Sequence, residues 1–318
     1  MSYKKVVIAG GGVLGSQIAL QSAYWGFDTT IWLRSESSIG RTQPKLDQFR
    51  DTIAEEIDKM AQDPSFVCRG LIDEGKFDKD ECLKKINDAH DNIKLELDMA
   101  KAVKDADIVI ESMAEEVNAK KEFYEKLAPY LEEKTVLVTN SSTLLPSTFA
   151  KYTGRPEKFL SLHFANYIWR NNVAEVMVQD KTDNRYFEEV KQFASEIHMI
   201  PLPVNKEKNG YLLNSMLVPF LLSGLDLVAN GVSDPVSVDT AWKTGTGAPR
   251  GPFEIFDVVG LITAKNIVEQ YQKVPGLINP LLKKMMLPYN FKGMLKILDE
   301  YIDAGKLGRS TGEGFYKY

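Results

Sequence analysis

The 318-residue sequence has few cysteines and few histidines, and both shortages limit what it can be. Two cysteines, Cys68 and Cys82, are too few for a disulfide framework, so we expect both to be reduced and the protein to be cytoplasmic. The three histidines, His90, His163 and His198, show no close ligand spacing with each other or with the cysteines. We therefore expect no metal site.

Basic runs and long apolar runs are also missing. The chain has 39 Lys and Arg against 44 Asp and Glu, a formal net charge of −5, and no basic block that would follow a phosphate backbone. Polar residues and Pro219 interrupt the most apolar stretch, 211–228, which a lipid-facing helix would tolerate poorly. The N-terminal apolar run, 6–9, is too short for a signal peptide and predicts a buried first strand. Neither nucleic acid nor a membrane is an expected partner.

Short apolar runs alternate with segments of helical periodicity through the first two thirds of the chain. The predicted strands are 6–9, 29–33, 108–112, 135–139, 159–164, 175–179 and 199–204. Such alternation is typical of parallel strands with crossover helices, so we predict an α/β fold with a Rossmann-type doubly wound domain over 1–203. Residues 36–100 are predicted to form a helical insertion of projecting helices, which is either a solvated arm or a lid or wall of the ligand site.

The remainder, 204–318, is predicted to be an all-α domain that contributes to the substrate site and to dimerisation. The predicted helices are 210–229, 234–244, 252–271 and 294–304. Because 212–228 and 253–268 are apolar, we expect a homodimer formed through this domain; an intramolecular core is the alternative.

A glycine-rich turn, Gly10-x-Gly12-x-x-Gly15, lies between the first predicted strand and a predicted helix at 16–25. Glycine permits the tight turn, the close approach of a pyrophosphate and the contact of helix with strand, and the helix N-terminus favours negative charge. In this context the turn predicts a nicotinamide dinucleotide site, NAD or NADP, rather than a simple connection. The expected cofactor-binding residues here are Gly10, Gly12, Val13, Leu14 and Gly15.

The end of the second strand indicates which dinucleotide is used. An acidic residue is expected there, roughly 20 residues further on, to bind the ribose 2′-hydroxyl of NAD. Leu33 occupies that position, and Arg34 and Ser35 follow it. These two residues favour a 2′-phosphate, so we predict a preference for NADP(H). Alternatively, Arg34 is a solvated residue or stacks on adenine while NAD is used.

His163 follows an apolar strand, where side chains reach the carboxyl edge of a parallel sheet and ligands bind. Glu175, in the next predicted strand, is close enough in a sheet to orient its imidazole, which together would form an acid–base pair. Asn140 and Ser142 follow a neighbouring strand at the same edge, where hydroxyls offer donors to a substrate oxygen or cap a helix.

Several motifs together resemble those of the L-3-hydroxyacyl-CoA dehydrogenase family over essentially the full length. They are the glycine turn, Ile110-Glu111-Ser112-Met113-Ala114-Glu115 with Lys120, Asn140-Ser141-Ser142, His163 with Glu175, Gly210-Tyr211-Leu212-Leu213-Asn214, Gly251-Pro252-Phe253-Glu254 and Gly312-Glu313-Gly314-Phe315-Tyr316. Their order and spacing make agreement by chance implausible.

The resemblance implies a role for each matching residue. It implies that His163 is the general acid/base for the 3-hydroxyl and that Glu175 holds it. Ser142 would bind the reacting oxygen, and Asn214 would position a substrate carbonyl. The implied substrate is a 3-hydroxyacyl-CoA and its 3-oxoacyl-CoA.

The same resemblance extends to the nicotinamide end of the cofactor. Glu115 and Lys120 match positions near the nicotinamide ribose, and we expect Asn140 to bind the cofactor as well.

The segment after His163 departs from the family pattern His-Phe-Phe-Asn-Pro. Here 163–172 is His-Phe-Ala-Asn-Tyr-Ile-Trp-Arg-Asn-Asn, so the substrate wall is altered. Trp169 and Arg170 either bind an acid group or CoA phosphate, or pack and bridge at the surface. A free hydroxy acid, such as a sugar acid or a carnitine-like compound, is therefore an alternative substrate. A catalytically silent dinucleotide-binding protein is a further alternative.

Overall fold

The structure is a computed structural model that describes residues 3–73, 76–272 and 289–318. By its contacts the chain divides into two compact units, Met1–Leu212 and Leu213–Tyr318. In the described residues, no helix combines the length and the apolar content needed to cross a membrane.

One mixed sheet forms the centre of the first unit. Its strands are β1 (Lys5–Ala9), β2 (Asp28–Trp32), β3 (Lys94–Glu96), β4 (Ile108–Glu111), β5 (Val136–Thr139), β6 (Phe159–Phe164), β7 (Val173–Met177) and β8 (Ile200–Val204). The order is β3-β2-β1-β4-β5-β6-β7-β8, and every neighbouring pair is parallel except β6 and β7. The predicted Rossmann-type fold is confirmed. β3 was not predicted because three residues with one apolar side chain carry no detectable periodicity.

Helices cover both faces of this sheet. They are α1 (Val13–Tyr24), α2 (Glu36–Gln62), α3 (Lys79–Asn92), α4 (Met99–Val103), α5 (Val117–Leu127) and α6 (Asn184–Glu196). One hydrophobic core joins the sheet to α1, α2, α3 and α6, and a second core joins its other face to α4 and α5. The predicted projection of the insertion is wrong, because the apolar residues of α2 and α3, among them Ile53 and Ile86, are buried in the first core.

The second unit is helical in its described residues, as predicted. Its helices are α7 (Leu213–Ala229), α8 (Pro235–Thr246), α9 (Pro252–Val259), α10 (Leu261–Gln272) and α11 (Phe291–Asp303). The helix predicted over 252–271 is interrupted at Gly260, whose φ of +90° lies in the left-handed region that favours glycine. Phe253, Phe256 and Leu261 around this break are buried in one apolar core.

Candidate active site

The glycine turn joins β1 to α1, and two of its glycines are required by the protein itself. Gly10 has a φ of +115°, and a Cβ there would lie 2.6 Å from the carbonyl oxygen of Ser112. A Cβ on Gly15 would lie 1.9 Å from the carbonyl oxygen of Gly10. Any side chain at either position would force the strand, the helix or the neighbouring loop to move.

Gly12 is different, because apart from Gly12 itself and its chain neighbours no described protein atom lies within 4 Å of the position that its Cβ would take. It is the N-cap residue of α1, and Val13 and Leu14 form the first turn. The first N–H groups of a helix have no intrahelical acceptor, so this turn points donors and the positive end of the helix dipole outward. Such a cradle fits a dinucleotide pyrophosphate.

The end of β2 presents a basic and hydroxyl-rich surface. Arg34 is exposed, and Ser35 is the N-cap residue of α2 with its hydroxyl 3.0 Å from that of Ser38. Arg41, one turn into α2, donates to Ser38 Oγ at 2.9 Å and to Ser37 Oγ at 3.3 Å. Sequence reasoning missed Arg41, although its spacing on a helix that begins at Glu36 places it over the same turn.

A buried ionic network lies beside β4. Glu111 is 0% exposed and accepts hydrogen bonds from Lys120 Nζ at 2.6 Å, Tyr124 Oη at 2.8 Å and Thr139 Oγ1 at 2.7 Å. Burial, together with the charge of Glu111, holds the pKa of Tyr124 well above its usual value, so its hydroxyl remains a donor. Lys120 Nζ also lies 3.5 Å from Glu115 Oε2. The ammonium of Lys120 therefore bridges two carboxylates.

Glu115 in turn orders the loop that follows β5. Its carboxylate accepts hydrogen bonds from the hydroxyl of Ser141 at 2.8 Å, the amide of Ser142 at 2.6 Å and the amide of Thr143 at 3.1 Å. These contacts bring the predicted residues Glu115, Lys120 and Ser142 into one network.

Asn140 connects the same loop to the strands on either side of it. Its Oδ1 accepts from the amide of Phe164 at 3.1 Å, and its Nδ2 donates to Ser112 Oγ at 3.3 Å. Phe164 is the residue after His163, so Asn140 ties the loop after β5 to the end of β6.

The antiparallel pairing of β6 with β7 places His163 opposite Glu175. His163 Nδ1 lies 2.9 Å from Glu175 Oε2, and the two residues are 5% and 2% exposed. A carboxylate only accepts, so Nδ1 carries the proton of this bond and Nε2 is the nitrogen that can exchange a proton. This geometry allows the imidazole of His163 to exchange a proton at Nε2 while Glu175 orients the ring.

Two further groups contact this pair, and the sequence did not predict them. The ring of Tyr211 stacks on the imidazole of His163 with centroids 4.5 Å apart and an interplanar angle of 15°. The amide of Leu212 donates to Glu175 Oε1 at 2.8 Å. Both residues belong to the run 210–214 that resembles the family, but the resemblance implies no role for them, because their contacts depend on the path of the chain after β8.

Trp169 and Arg170 bind a buried carboxylate of the protein. Trp169 is 1% exposed and donates from Nε1 to Glu56 Oε2 at 2.8 Å, and Arg170 donates to Glu56 Oε1 at 2.5 Å. Of the two interpretations of these residues, packing and bridging is the one that these contacts support. Asn214 is the second residue of α7 and belongs to the second unit.

Two family models match the chain. The model "3-hydroxyacyl-CoA dehydrogenase, NAD binding domain" matches residues 5–208, and the corresponding C-terminal domain model matches residues 210–318. Human mitochondrial hydroxyacyl-coenzyme A dehydrogenase is 30% identical over 99% of this chain and 91% of its own length. A 3-hydroxybutyryl-CoA dehydrogenase of Clostridioides difficile is 27% identical over 99% of both chains.

Among solved structures, one of a diketoreductase that acts on dicarbonyl compounds is similar to this chain. It is 41% identical, covers 100% of both chains and superposes with a TM-score of 0.83.

Proposed function

Because this chain belongs to the 3-hydroxyacyl-CoA dehydrogenase family, we propose that it interconverts a 3-hydroxyacyl-CoA and its 3-oxoacyl-CoA with a nicotinamide cofactor. The observation that carries the proposal is the buried pair of His163 and Glu175 at the carboxyl edge of the sheet. A bound nicotinamide would supply or accept the hydride at C3.

The protein's own groups manage the proton and the developing charge. During oxidation, His163 Nε2 takes the proton of the 3-hydroxyl, and Glu175 stabilises the imidazolium through Nδ1. During reduction, the same nitrogen returns the proton to the 3-oxo oxygen. We propose that Ser142 donates to this oxygen and that Asn214 positions the substrate carbonyl.

The cofactor is proposed to lie along the carboxyl edge of the sheet. Gly10, Gly12 and Gly15 would admit the pyrophosphate, with the amides of Val13 and Leu14 as donors. At the nicotinamide ribose, the proposed contacts are Glu115, Lys120 and Asn140.

An assay with acetoacetyl-CoA and with free acetoacetate tests the substrate. We expect kcat/KM to be higher with the CoA ester.

The 41% identity to a diketoreductase favours a second candidate, reduction of a free dicarbonyl compound or oxidation of a free hydroxy acid. Turnover of free dicarbonyl compounds with none of acetoacetyl-CoA would replace the first candidate by the second, and no turnover of either would leave only a silent dinucleotide-binding protein.

NADP(H) is the proposed cofactor form, because Leu33 stands where the strand-end acid is expected, Arg34 and Ser35 follow it, and Arg41 donates to Ser38 in the first turn of α2. We expect a lower KM for NADPH than for NADH. Arg34→Ala and Arg41→Ala should each raise the KM for NADPH about tenfold, the effect of losing one charge-assisted hydrogen bond, and leave NADH use unchanged. Arg50→Ala, further along α2, is the matched control. Equal or better use of NADH by the unaltered protein would contradict the proposal.

We also propose that the helical region 204–318 carries a homodimer contact. Met216, Val232 and Ile262 are 66%, 67% and 51% exposed, and a contact with a second copy of the chain would bury such apolar surface. Light scattering should then give twice the mass of one chain.

Cys68 and Cys82 are both free and buried, which supports a reducing compartment such as the cytoplasm.

A further inference from the structure

Tyr211 contacts the proposed acid/base with its ring and the neighbouring loop with its hydroxyl. Besides stacking on His163, it donates from Oη to the carbonyl oxygen of Ser141 at 2.6 Å, and its side chain is 1% exposed. We propose that Tyr211 is a positioning residue that holds the imidazole of His163 and the Ser142 loop in one fixed arrangement. This inference rests on the proposed function of His163.

The backbone at Tyr211 has an unfavourable conformation that its neighbours maintain. Its φ is +51°, directly after Gly210 with a φ of +79°. A left-handed conformation is uncommon for a bulky residue and persists only where the surrounding structure over-determines it, as at functional sites. Here Leu212 donates its amide to Glu175. One turn of chain therefore contacts both His163 and its carboxylate partner.

The ring of Tyr211 restricts a tilt of the His163 imidazole that the bond to Glu175 does not prevent. The bond from Nδ1 to Glu175 fixes one edge of the imidazole, but the ring can still tilt about that bond. A nearly parallel aromatic ring 4.5 Å away blocks the tilt, so that Nε2 is aimed in one direction. Proton transfer depends steeply on such alignment.

The hydroxyl of Tyr211 fixes the loop that contains Ser141 and Ser142. Ser141 is held from one side by Tyr211 through its carbonyl, while its own hydroxyl and the amide of Ser142 bind Glu115. The base and the proposed donor Ser142 thus share one support. A change at Tyr211 should therefore alter the chemical step more than the binding of cofactor.

Two substitutions separate the two contacts. Tyr211→Leu removes the ring and the hydroxyl, and we expect kcat to fall at least about tenfold while the dissociation constant of the dinucleotide changes less than about twofold. Tyr211→Phe keeps the stacked ring and should recover much of kcat, with a remaining loss of about threefold from the lost hydrogen bond.

Tyr24 provides the matched control, because it is 3% exposed and donates to the carbonyl oxygen of Leu71 at 2.8 Å, away from the site. Tyr24→Leu and Tyr24→Phe should lower the unfolding temperature without lowering kcat. A Tyr211→Leu variant with kcat within twofold of the unaltered protein, or an equal loss of kcat in Tyr24→Leu, would overturn the proposal.

An NMR measurement tests the positioning independently of the substrate. With three histidines in the chain, His163 can be assigned through a His163→Gln variant. The ring current of Tyr211 should shift the imidazole protons of His163 upfield in the unaltered protein and in Tyr211→Phe, and the shift should vanish in Tyr211→Leu. Unchanged His163 signals in Tyr211→Leu would overturn the inference, whereas a lack of turnover in the unaltered protein would count against the proposed function alone.

Discussion

Replacing His163 by alanine should lower kcat about 10²- to 10⁴-fold, the usual contribution of a positioned general acid/base. The loss is expected because Nε2 of the buried imidazole is the group proposed to exchange the proton of the 3-hydroxyl, and its carboxylate partner is already fixed at 2.9 Å. Steady-state kinetics in both reaction directions would measure the effect. Dinucleotide affinity, followed by nucleotide fluorescence, should remain within about twofold, because the glycine turn lies on another strand.

His90→Ala is the control for this substitution. His90 lies on α3, where its imidazole is bound to Asp47 and Asp91 at 2.8 and 3.0 Å. Its replacement removes the same side chain from the same unit without touching the sheet edge, so kcat should stay unchanged. Full turnover by the His163 variant would refute the acid/base assignment, whatever the substrate.

The second large effect is expected on stability. Lys120→Met should lower the free energy of unfolding by about 3–5 kcal/mol, because it leaves the carboxylate of Glu111 buried without its cation. Both side chains are almost completely buried, at 1% and 0% exposure, and their atoms are 2.6 Å apart. Urea denaturation of the protein without cofactor would measure the change and separate it from any contact of Lys120 with the nicotinamide ribose.

Two companion variants test the cause. Lys126→Met, on the same helix, removes a lysine whose side chain is 72% exposed, and it should change stability by less than about 0.5 kcal/mol. Adding Glu111→Gln to Lys120→Met should recover part of the loss, because a neutral amide needs no counter-charge and still accepts from Tyr124 and Thr139. If the double variant is no more stable than Lys120→Met, the uncompensated charge is not the cause.

Local sequence patterns were sufficient to predict the strands of the sheet and the fold class. Every predicted strand overlaps a strand of the sheet, because buried parallel strands consist of short apolar runs that turns separate. The pairing of His163 with Glu175 also followed from the sequence, because the two strands are neighbours in the chain and lie side by side. Gly10 and Gly15 were identifiable because both belong to the tight turn between β1 and α1, where Gly10 has a φ of +115° and a Cβ on Gly15 would lie 1.9 Å from the carbonyl oxygen of Gly10.

Other features depend on distant contacts, and local patterns do not contain them. The choice between two roles for Trp169 and Arg170 turns on Glu56, more than a hundred residues away in the chain. Arg41 belongs to the helix that follows β2, beyond the strand end at which the sequence predicts a cofactor contact. The role of Tyr211 depends on a turn whose left-handed backbone no apolar periodicity predicts.

The ladder between β6 and β7 has a consequence for how this fold can diversify. The backbone bonds of the two strands set the position of Glu175 relative to His163, and a shift of one residue would turn every side chain of β7 to the opposite face. The connection at 165–172 therefore does not set the distance between the two side chains. Substitutions in this connection that keep the buried Trp169 and its bond to Glu56 should therefore leave the proposed proton-transfer pair unchanged.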